Sequence, residues 1–487
     1  NLEYVVPSND ALKLVPYNVA KAKSVLPISV DDMVLSVATQ DVNDLAMLDY
    51  LRKISGRNVK FVVEDKQTIA RYVEIFYYQL NSPIEQEIAE LIKNSLGNVE
   101  VNVPYLIELL LNNAIKDHVT DIHITPESSA THISYRLDGV LRHFYALPLK
   151  LHAQIVARIK ILSRLDISEQ RKPQDGAFSY SFLNEPFDLR VSTLPTNHGE
   201  NIVMRLLGKN SSLFSLSQLG LTKANVAKVE KYFSKPYGII LIVGPTGSGK
   251  TTTLYSALRK IDSLKKNVLT IEDPIEYKFS FIRQTQLNEK AGYDFQSAIR
   301  AFMRQDPDVM LVGEIRDHDT AELAVRASIT GHLVLSTLHT NDAVGTIPRL
   351  NDLGIEPYLI GSGLLAVIAQ RLVRKLCTKC KVPKEYSKEE LRELGVSKRT
   401  IDAYPDFQLY EAVGCPHCRG TGYKGRESIV EILEIDEDIE AMITKRASTQ
   451  EILALAYEKG MHSLKEDGQI KVLLGVTTLQ EIDRVVN

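Results

Sequence analysis

No charge of one sign dominates this sequence: 58 Lys and Arg stand against 61 Asp and Glu, a formal net charge of −3. That balance excludes a global field drawing the chain onto nucleic acid or anionic lipid. No apolar run approaches the roughly 18 residues of a membrane span, and no signal-peptide pattern is visible from Asn1 onward. Cysteine is scarce, with four in 487 residues. That is too few for a disulfide scaffold and fits a reduced, cytosolic compartment. What remains is ordinary for a globular protein, with 44% hydrophobic and 24% charged residues. At about 150 residues per domain, the length suggests roughly three domains.

One stretch organises the rest. Gly244, Pro245, Thr246, Gly247, Ser248, Gly249, Lys250 and Thr251 fit the G-x-x-x-x-G-K-[ST] phosphate-binding loop. Before it, Ile239-Ile240-Leu241-Ile242-Val243 has the β-branched, apolar character of a buried strand. After it, Thr252 to Lys260 opens a helix free of Gly and Pro. Strand, glycine loop and helix N-terminus are what phosphate binding requires: backbone N–H groups turn inward, and the helix dipole adds positive potential. Lys250 then reaches the β- and γ-phosphates, and the Thr251 hydroxyl, with Thr252 beside it, faces Mg²⁺. ATP and Mg²⁺ are the expected ligands.

The chain reads as a series of segments around this loop. Residues 1–80 mix strand-like runs (33–38, 58–63) with helical ones (42–54, 68–78), a small α/β module without a catalytic constellation. Residues 81–103 read as a helix flanked by linker, with Asn-Ser-Pro and Gly-Asn as breakers. Residues 104–209 combine helices (105–117, 150–165) with strand-like runs at 121–124, 131–137, 140–145, 177–182, 187–194 and 201–207. Asp138-Gly139 is a hairpin turn. Helices plus an antiparallel sheet is the simplest reading, with 209–212 as the exit linker. Residues 210–376 form the nucleotide-binding core, 377–425 a cysteine-bearing insertion, and 426–487 a helical C-terminal region.

Three apolar runs after the loop end in chemistry. Val268–Ile271 leads into Glu272-Asp273-Pro274-Ile275-Glu276, Val309–Val312 into Gly313-Glu314, and Leu333–Leu338 lies between His332 and His339. In parallel α/β folds, ligand groups sit at the carboxyl ends of strands. An apolar strand followed by an acid is the Walker B pattern, so Glu314 is expected on Mg²⁺ together with Thr251. Glu276 is expected to orient the attacking water, although these two acids are interchangeable on sequence grounds. His339 is placed to donate to the γ-phosphate. Singly, such acids are as readily helix caps and such a histidine is more often structural. Three tipped strands behind one phosphate loop argue against coincidence.

The four cysteines fall in two C-x-x-C pairs, Cys377/Cys380 and Cys415/Cys418, with 34 residues between them. Together they offer a closed tetrahedral site, which points to structural Zn²⁺, and the long spacer is expected to fold as its own lobe. A redox pair is the weaker alternative, because no thioredoxin-like βαβ unit surrounds them. His417 is the other candidate ligand. Arg371, Arg374, Lys375, Lys379, Lys381 and Lys384 form a basic cluster beside the first pair. It reads as a solvated face before an anionic membrane surface or acidic partner.

Taken together, Gly244 to Tyr255, Thr270-Ile-Glu-Asp-Pro-Ile-Glu-Tyr277, Arg304-Gln-Asp-Pro-Asp308, Val312-Gly-Glu-Ile-Arg-Asp317, Thr330-Gly-His332 and Ser336-Thr-Leu-His-Thr340 resemble the Walker A, Asp box, Walker B and His box of the secretion ATPase superfamily. The resemblance is strongest to its assembly branch, the type II secretion and type IV pilus extension ATPases, which share the Cys₄ insertion. It implies an α/β multidomain chain: a RecA-like P-loop core, an α+β (PAS-like) domain before it, a small N-terminal α/β domain, a zinc insertion and a helical tail. It also implies a homo-hexamer with nucleotide between the second and third segments. Arg190 and Arg205 match family arginines that reach the phosphates; as plain sequence, they fit the exposed face of a sheet equally well. The implied partners are an inner-membrane platform protein and a membrane-anchored docking protein, giving a cytoplasmic protein peripheral at the inner membrane. Related N-terminal domains either dock such a partner or bind cyclic di-GMP. Residues 1–80 lack the Arg-Leu-Gly signature of the latter, so docking is expected. Secretion and pilus assembly are not separated by any residue. Nucleic-acid translocation by a ring ATPase is the alternative, and the near-neutral charge argues against it.

Overall fold

Alternating apolar residues build the first sheet from Val25–Val30 (β1), Val34–Thr39 (β2) and Asn58–Val63 (β3). The order is β1-β2-β3, with β1 antiparallel and β3 parallel to β2. The parallel pairing needs a crossover. Helix Leu45–Ser55 supplies it, capped by the Asp44 side chain and ended by Gly56 at φ 65°. β1 escaped the sequence reading because Pro27 interrupts it beside a bulge, which an edge strand tolerates. The computed structural model describes residues 7–31, 33–81, 84–96, 100–208 and 215–486. Helix Ile84–Leu96 fills the middle of the expected 81–103 segment. Its Ser-Pro and Gly-Asn breakers, and the exit linker at 209–212, lie outside the described residues.

A second, six-stranded sheet is antiparallel throughout. Its strands are Asp121–Pro126 (β4), Ala130–Leu137 (β5), Val140–Pro148 (β6), Gln174–Phe182 (β7), Glu185–Thr196 (β8) and Gly199–Gly208 (β9), in the order β6-β5-β4-β9-β8-β7. Asp138 and Gly139 both take positive φ, the backbone of a tight hairpin turn. Helices Val103–Lys116 and His152–Ser163 bring Leu106, Leu110, Ile155 and Ile159 into one core with Ile122, Ile133, Leu189 and Met204. Strand residues of the opposite parity are left to the other face. Both sheets belong to the first of two compact units, residues 1–209.

In the second unit, residues 210–487, a seven-stranded sheet carries the phosphate loop. Its strands are Gly238–Val243 (β10), Val268–Glu272 (β11), Arg283–Gln286 (β12), Val309–Val312 (β13), Leu333–Leu338 (β14), Leu364–Leu376 (β15) and, after the hairpin Lys381–Lys384 (β16) and Leu409–Ala412 (β17), Tyr423–Glu434 (β18). The order is β12-β11-β13-β14-β10-β15-β18. All neighbours are parallel except β15 and β18. Every residue of β10, β13 and β14 is buried, as expected for a parallel sheet covered on both faces. The sheet does not end at residue 376. The cysteine insertion interrupts the chain between two neighbouring strands, and β18 begins with the charged run Tyr423-Lys-Gly-Arg-Glu427, which hides its strand character.

The spacer between the cysteine pairs is not a separate lobe. Leu391, Val396, Ile401 and Leu409 join the same apolar core as β10 and β15. Gln469 receives the Ser397 N–H (3.3 Å) and donates to Gly395 O (2.8 Å). Four buried apolar side chains are too few for a core of their own. The tail is helical as expected: Glu437–Thr444, Thr449–Glu458, Leu464–Leu473 and Leu479–Val486. Ser448/Glu451 and Ser463/Glu466 form capping boxes at two of these starts.

Most of the basic cluster is spoken for by internal partners. Lys375 pairs with Glu427, Lys384 with Glu411, and Lys381 donates to Gly475 O and lies over the Tyr410 ring. Arg374 reaches the fully buried Glu481 (Nη2···Oε2 2.6 Å), which Arg484 also grips (Nη2···Oε1 2.6 Å). Burial alone would raise the Glu481 carboxyl, but hydrogen bonds from Arg484 and Arg374 hold it at about 2. A depressed carboxylate contributes its full stability above the unfolded value of about 4.3. That contribution is lost as pH falls toward 2. Glu481→Gln, which strands the Arg374 charge, is expected to cost about 3 kcal/mol in denaturant unfolding at neutral pH. The gap to the parent should shrink in acid.

Candidate functional site

The carboxyl end of β10 sets the site. Helix Lys250–Lys260 starts at Gly249, whose φ of 89° is left-handed and which provides no capping side chain. The first N–H groups of the helix therefore stay open for an anion. Gly244 turns at φ 148°, and a Cβ there would sit 2.6 Å from Gln370 O and 2.8 Å from Ser248 Oγ. Pro245, Thr246 and Gly247 are exposed at the mouth, Ser248 is buried beneath, and Thr251 and Thr252 are half-buried in the first helical turn. Lys250 Nζ donates to Gly244 O (2.7 Å) and Pro245 O (3.1 Å), so the ammonium lies folded over its own loop. Burial pulls its pKa below the usual lysine value; Glu314 opposes this and Arg371 adds to it.

Glu314 follows β13 and is largely buried. It is ion-paired to Arg316, and its Oε2 lies 3.6 Å from His339 Nε2 at the end of β14. Lys250, Glu314 and His339 thus converge at the ends of three adjacent strands. Glu276 is exposed, and its segment is anchored from below: the Glu276 N–H donates to Tyr255 Oη at 3.1 Å. The Tyr255 hydroxyl in turn donates to buried Glu272, whose other oxygen accepts from Thr270 (2.6 Å) and Gln284 (3.1 Å). Glu272 received no separate role on sequence grounds; its signal was its position as the last residue of an apolar strand. His332 sits at the far end of β14, bonded to Ala327 O (2.9 Å), and is structural.

Arg190 and Arg205 belong to the first unit, directly opposed on β8 and β9. They lie on the face opposite buried Leu189, Val191 and Met204. Arg205 Nε donates to Asp121 Oδ1 (2.9 Å), and Arg136 Nε lies 3.4 Å from Asp121 Oδ2. One buried carboxylate thus orders two guanidiniums of a row that includes Arg190.

Cys377 directly follows β15, and Cys418 precedes β18. Their Sγ atoms and those of Cys380 and Cys415 all lie within 4.8 Å of one another, and His417 is not in the group. The separations are 3.8 Å (377–415), 3.7 Å (380–418) and 3.7 Å (415–418). A tetrahedron with metal–sulfur bonds of about 2.3 Å has edges of about 3.8 Å, so four thiolates at this spacing fit zinc. Backbone N–H groups of Cys415 and Gly422 point at Cys418 Sγ, as they would at a ligating thiolate.

A mainly parallel sheet with a glycine loop at its carboxyl edge, an acid-tipped neighbouring strand and an antiparallel last strand defines a RecA-like P-loop ATPase. Solved structures agree in fold. The Legionella pneumophila ATPase DotB superposes with a TM-score of 0.57 at 20% identity, over 78% of this chain and 95% of that one. The pilus retraction motor PilT with bound ADP gives 0.52 at 25% identity, over 77% and 95%. The chain belongs to the type II/IV secretion system protein family, whose model matches residues 98–484, and an MshEN domain model matches residues 1–82. Among curated relatives, the type IV pilus assembly ATPase PilB of Myxococcus xanthus is 40% identical over 97% of this chain and 86% of its own length. The type II secretion system protein E of Aeromonas hydrophila is 48% identical over 78% and 75%. The protein is therefore an ATP hydrolase of the secretion and pilus assembly kind.

Proposed function

We propose that this chain works as a homo-hexameric ring motor whose ATP hydrolysis drives addition of pilin or pseudopilin subunits to a filament. The observation that carries this reading is the division of the catalytic set. Lys250, Glu276, Glu314 and His339 belong to one compact unit and the Arg190–Arg205 pair to another. A motor needs such a division, since changes in the nucleotide then become movements between units.

On binding ATP, Lys250 exchanges the carbonyls of Gly244 and Pro245 for β- and γ-phosphate oxygens, while the loop N–H groups hold the chain of phosphates. Thr251 and Glu314 are the residues that would hold Mg²⁺, which neutralises phosphate charge. Glu276 orients the attacking water and accepts its proton, with its backbone fixed by Tyr255. His339 donates to the γ-phosphate beside Glu314. Arg190 and Arg205 stabilise charge on the transferred phosphoryl, their guanidinium forks suiting its oxygens. The four cysteines would hold a structural Zn²⁺.

Among the described residues, no helix is long and apolar enough to cross a membrane. By its likeness to secretion and pilus assembly ATPases, the motor is proposed to sit peripherally at the cytoplasmic face of the inner membrane, held by a platform protein. Residues 1–80 dock a membrane-anchored partner; micromolar cyclic di-GMP binding there would replace that role. The ring is tested by measuring Mg–ATP turnover against protein concentration, with mass determined alongside. Turnover per chain is expected to rise as hexamers appear, and constant turnover from a monomer would sink the ring.

A further inference from the structure

Two consecutive residues of β15 lie against the phosphate loop with side chains turned opposite ways. Gln370 is buried to 1% exposure, yet both of its side-chain polar atoms are hydrogen-bonded. Its Nε2 donates to Ser248 O (2.9 Å) and to Ser428 Oγ on β18 (3.2 Å), and its Oε1 accepts from Thr253 Oγ1 (2.7 Å) in the first turn of helix Lys250–Lys260. Side chains alternate along a strand, so Arg371 faces the other way. Its guanidinium donates to Gln370 O (3.1 Å) and to Asn341 O (2.8 Å), two residues beyond His339. Because β10 lies between β14 and β15, Arg371 spans the end of β10, close against Gly244. Burial lowers the Arg371 pKa, with Glu431 and Asp342 opposing that shift through space.

We infer that Gln370 and Arg371 are positioning residues, a clasp that shapes the phosphate loop before nucleotide arrives and ties it to the segment behind His339. Gln370 fixes the Ser248 carbonyl and the helix start, which aims the neighbouring N–H groups inward. Arg371 packs against Gly244 at the entry to the loop and ties β15 to the chain after the His box in one bridge. A loop without these supports must be ordered when nucleotide binds, and affinity falls accordingly. Charge alone does not make the Arg371 bridge, because a lysine lacks the fork that reaches two carbonyls at once.

The test uses the full chain with Gln370→Leu and Arg371→Lys, reading ADP affinity, kcat and KM for ATP, and melting with and without ADP. Gln370→Leu is expected to raise the ADP dissociation constant about tenfold, with KM rising in parallel. Arg371→Lys, which keeps the charge, is expected to lower kcat/KM at least fivefold without restoring parental behaviour. In both variants the gap in melting temperature to the parent should widen at saturating ADP, because weaker binding adds less stability at the same ligand concentration; a purely structural role would leave the gap unchanged. Parental affinity and kcat/KM in the two variants would overturn the clasp. Should Gln370→Leu fail to fold, Arg371→Lys decides: a fivefold loss with parental melting supports it, and parental kinetics reject it.

Discussion

Lys250→Ala is expected to lower kcat for ATP hydrolysis by about 10³-fold, with little change in the melting of the nucleotide-free chain. The asymmetry follows from its partners. In the free site the ammonium bonds Gly244 O and Pro245 O, at a mouth where Pro245, Thr246 and Gly247 are exposed. Water replaces those bonds when the side chain is removed. With ATP bound, nothing replaces the ammonium, and phosphate charge then faces Glu314 with one fewer cation on its own chain. Phosphate release and thermal melting of the same preparation check the pair of outcomes. A parental rate would remove Lys250 from the chemistry.

Removing a metal from the four cysteines is the second large expected effect. One Zn²⁺ per chain is expected by metal analysis, and a chelator or Cys415→Ser should lower the melting temperature by on the order of 10 °C. The size comes from where the thiols sit. Cys377 and Cys418 abut β15 and β18, the antiparallel pair that ends the main sheet. Without metal, four sulfurs packed within 4.8 Å lose the cation that would bridge them, and the spacer that joins the main core is released with them. A metal-free chain of parental stability would show that the thiols, not a cation, suffice.

The local parts of this protein were legible because their physics is local. The run 239–243, the glycines after it and the acid tips at Glu276 and Glu314 each follow from short-range rules, as do the capping boxes of the tail. What escaped depends on distant pairing. β18 became visible only as the partner of β15, across an insertion that breaks the pattern between them. Arg371 looked like one member of a basic patch because sequence adjacency to Cys377 is all that the linear order offers. In the folded chain it crosses β10 to Asn341. Gln370, a lone amide in an apolar strand, carries no mark of its bonds to Ser248 and Thr253. The sheet face holding Arg190 and Arg205 follows from alternation, but Asp121 as the carboxylate that Arg205 grips needed the register of β4 against β9.

The late arrival of β18 also bears on how the chain can be cut. A fragment stopping at Leu376, where the nucleotide core looks finished on paper, would leave all thirteen residues of β15 as a free, mostly apolar edge. Open edges of that length recruit strands from other molecules and seed aggregates. The smallest well-behaved ATPase fragment therefore has to run beyond Glu434, and the cysteine segment travels with it as an obligatory passenger of the catalytic core.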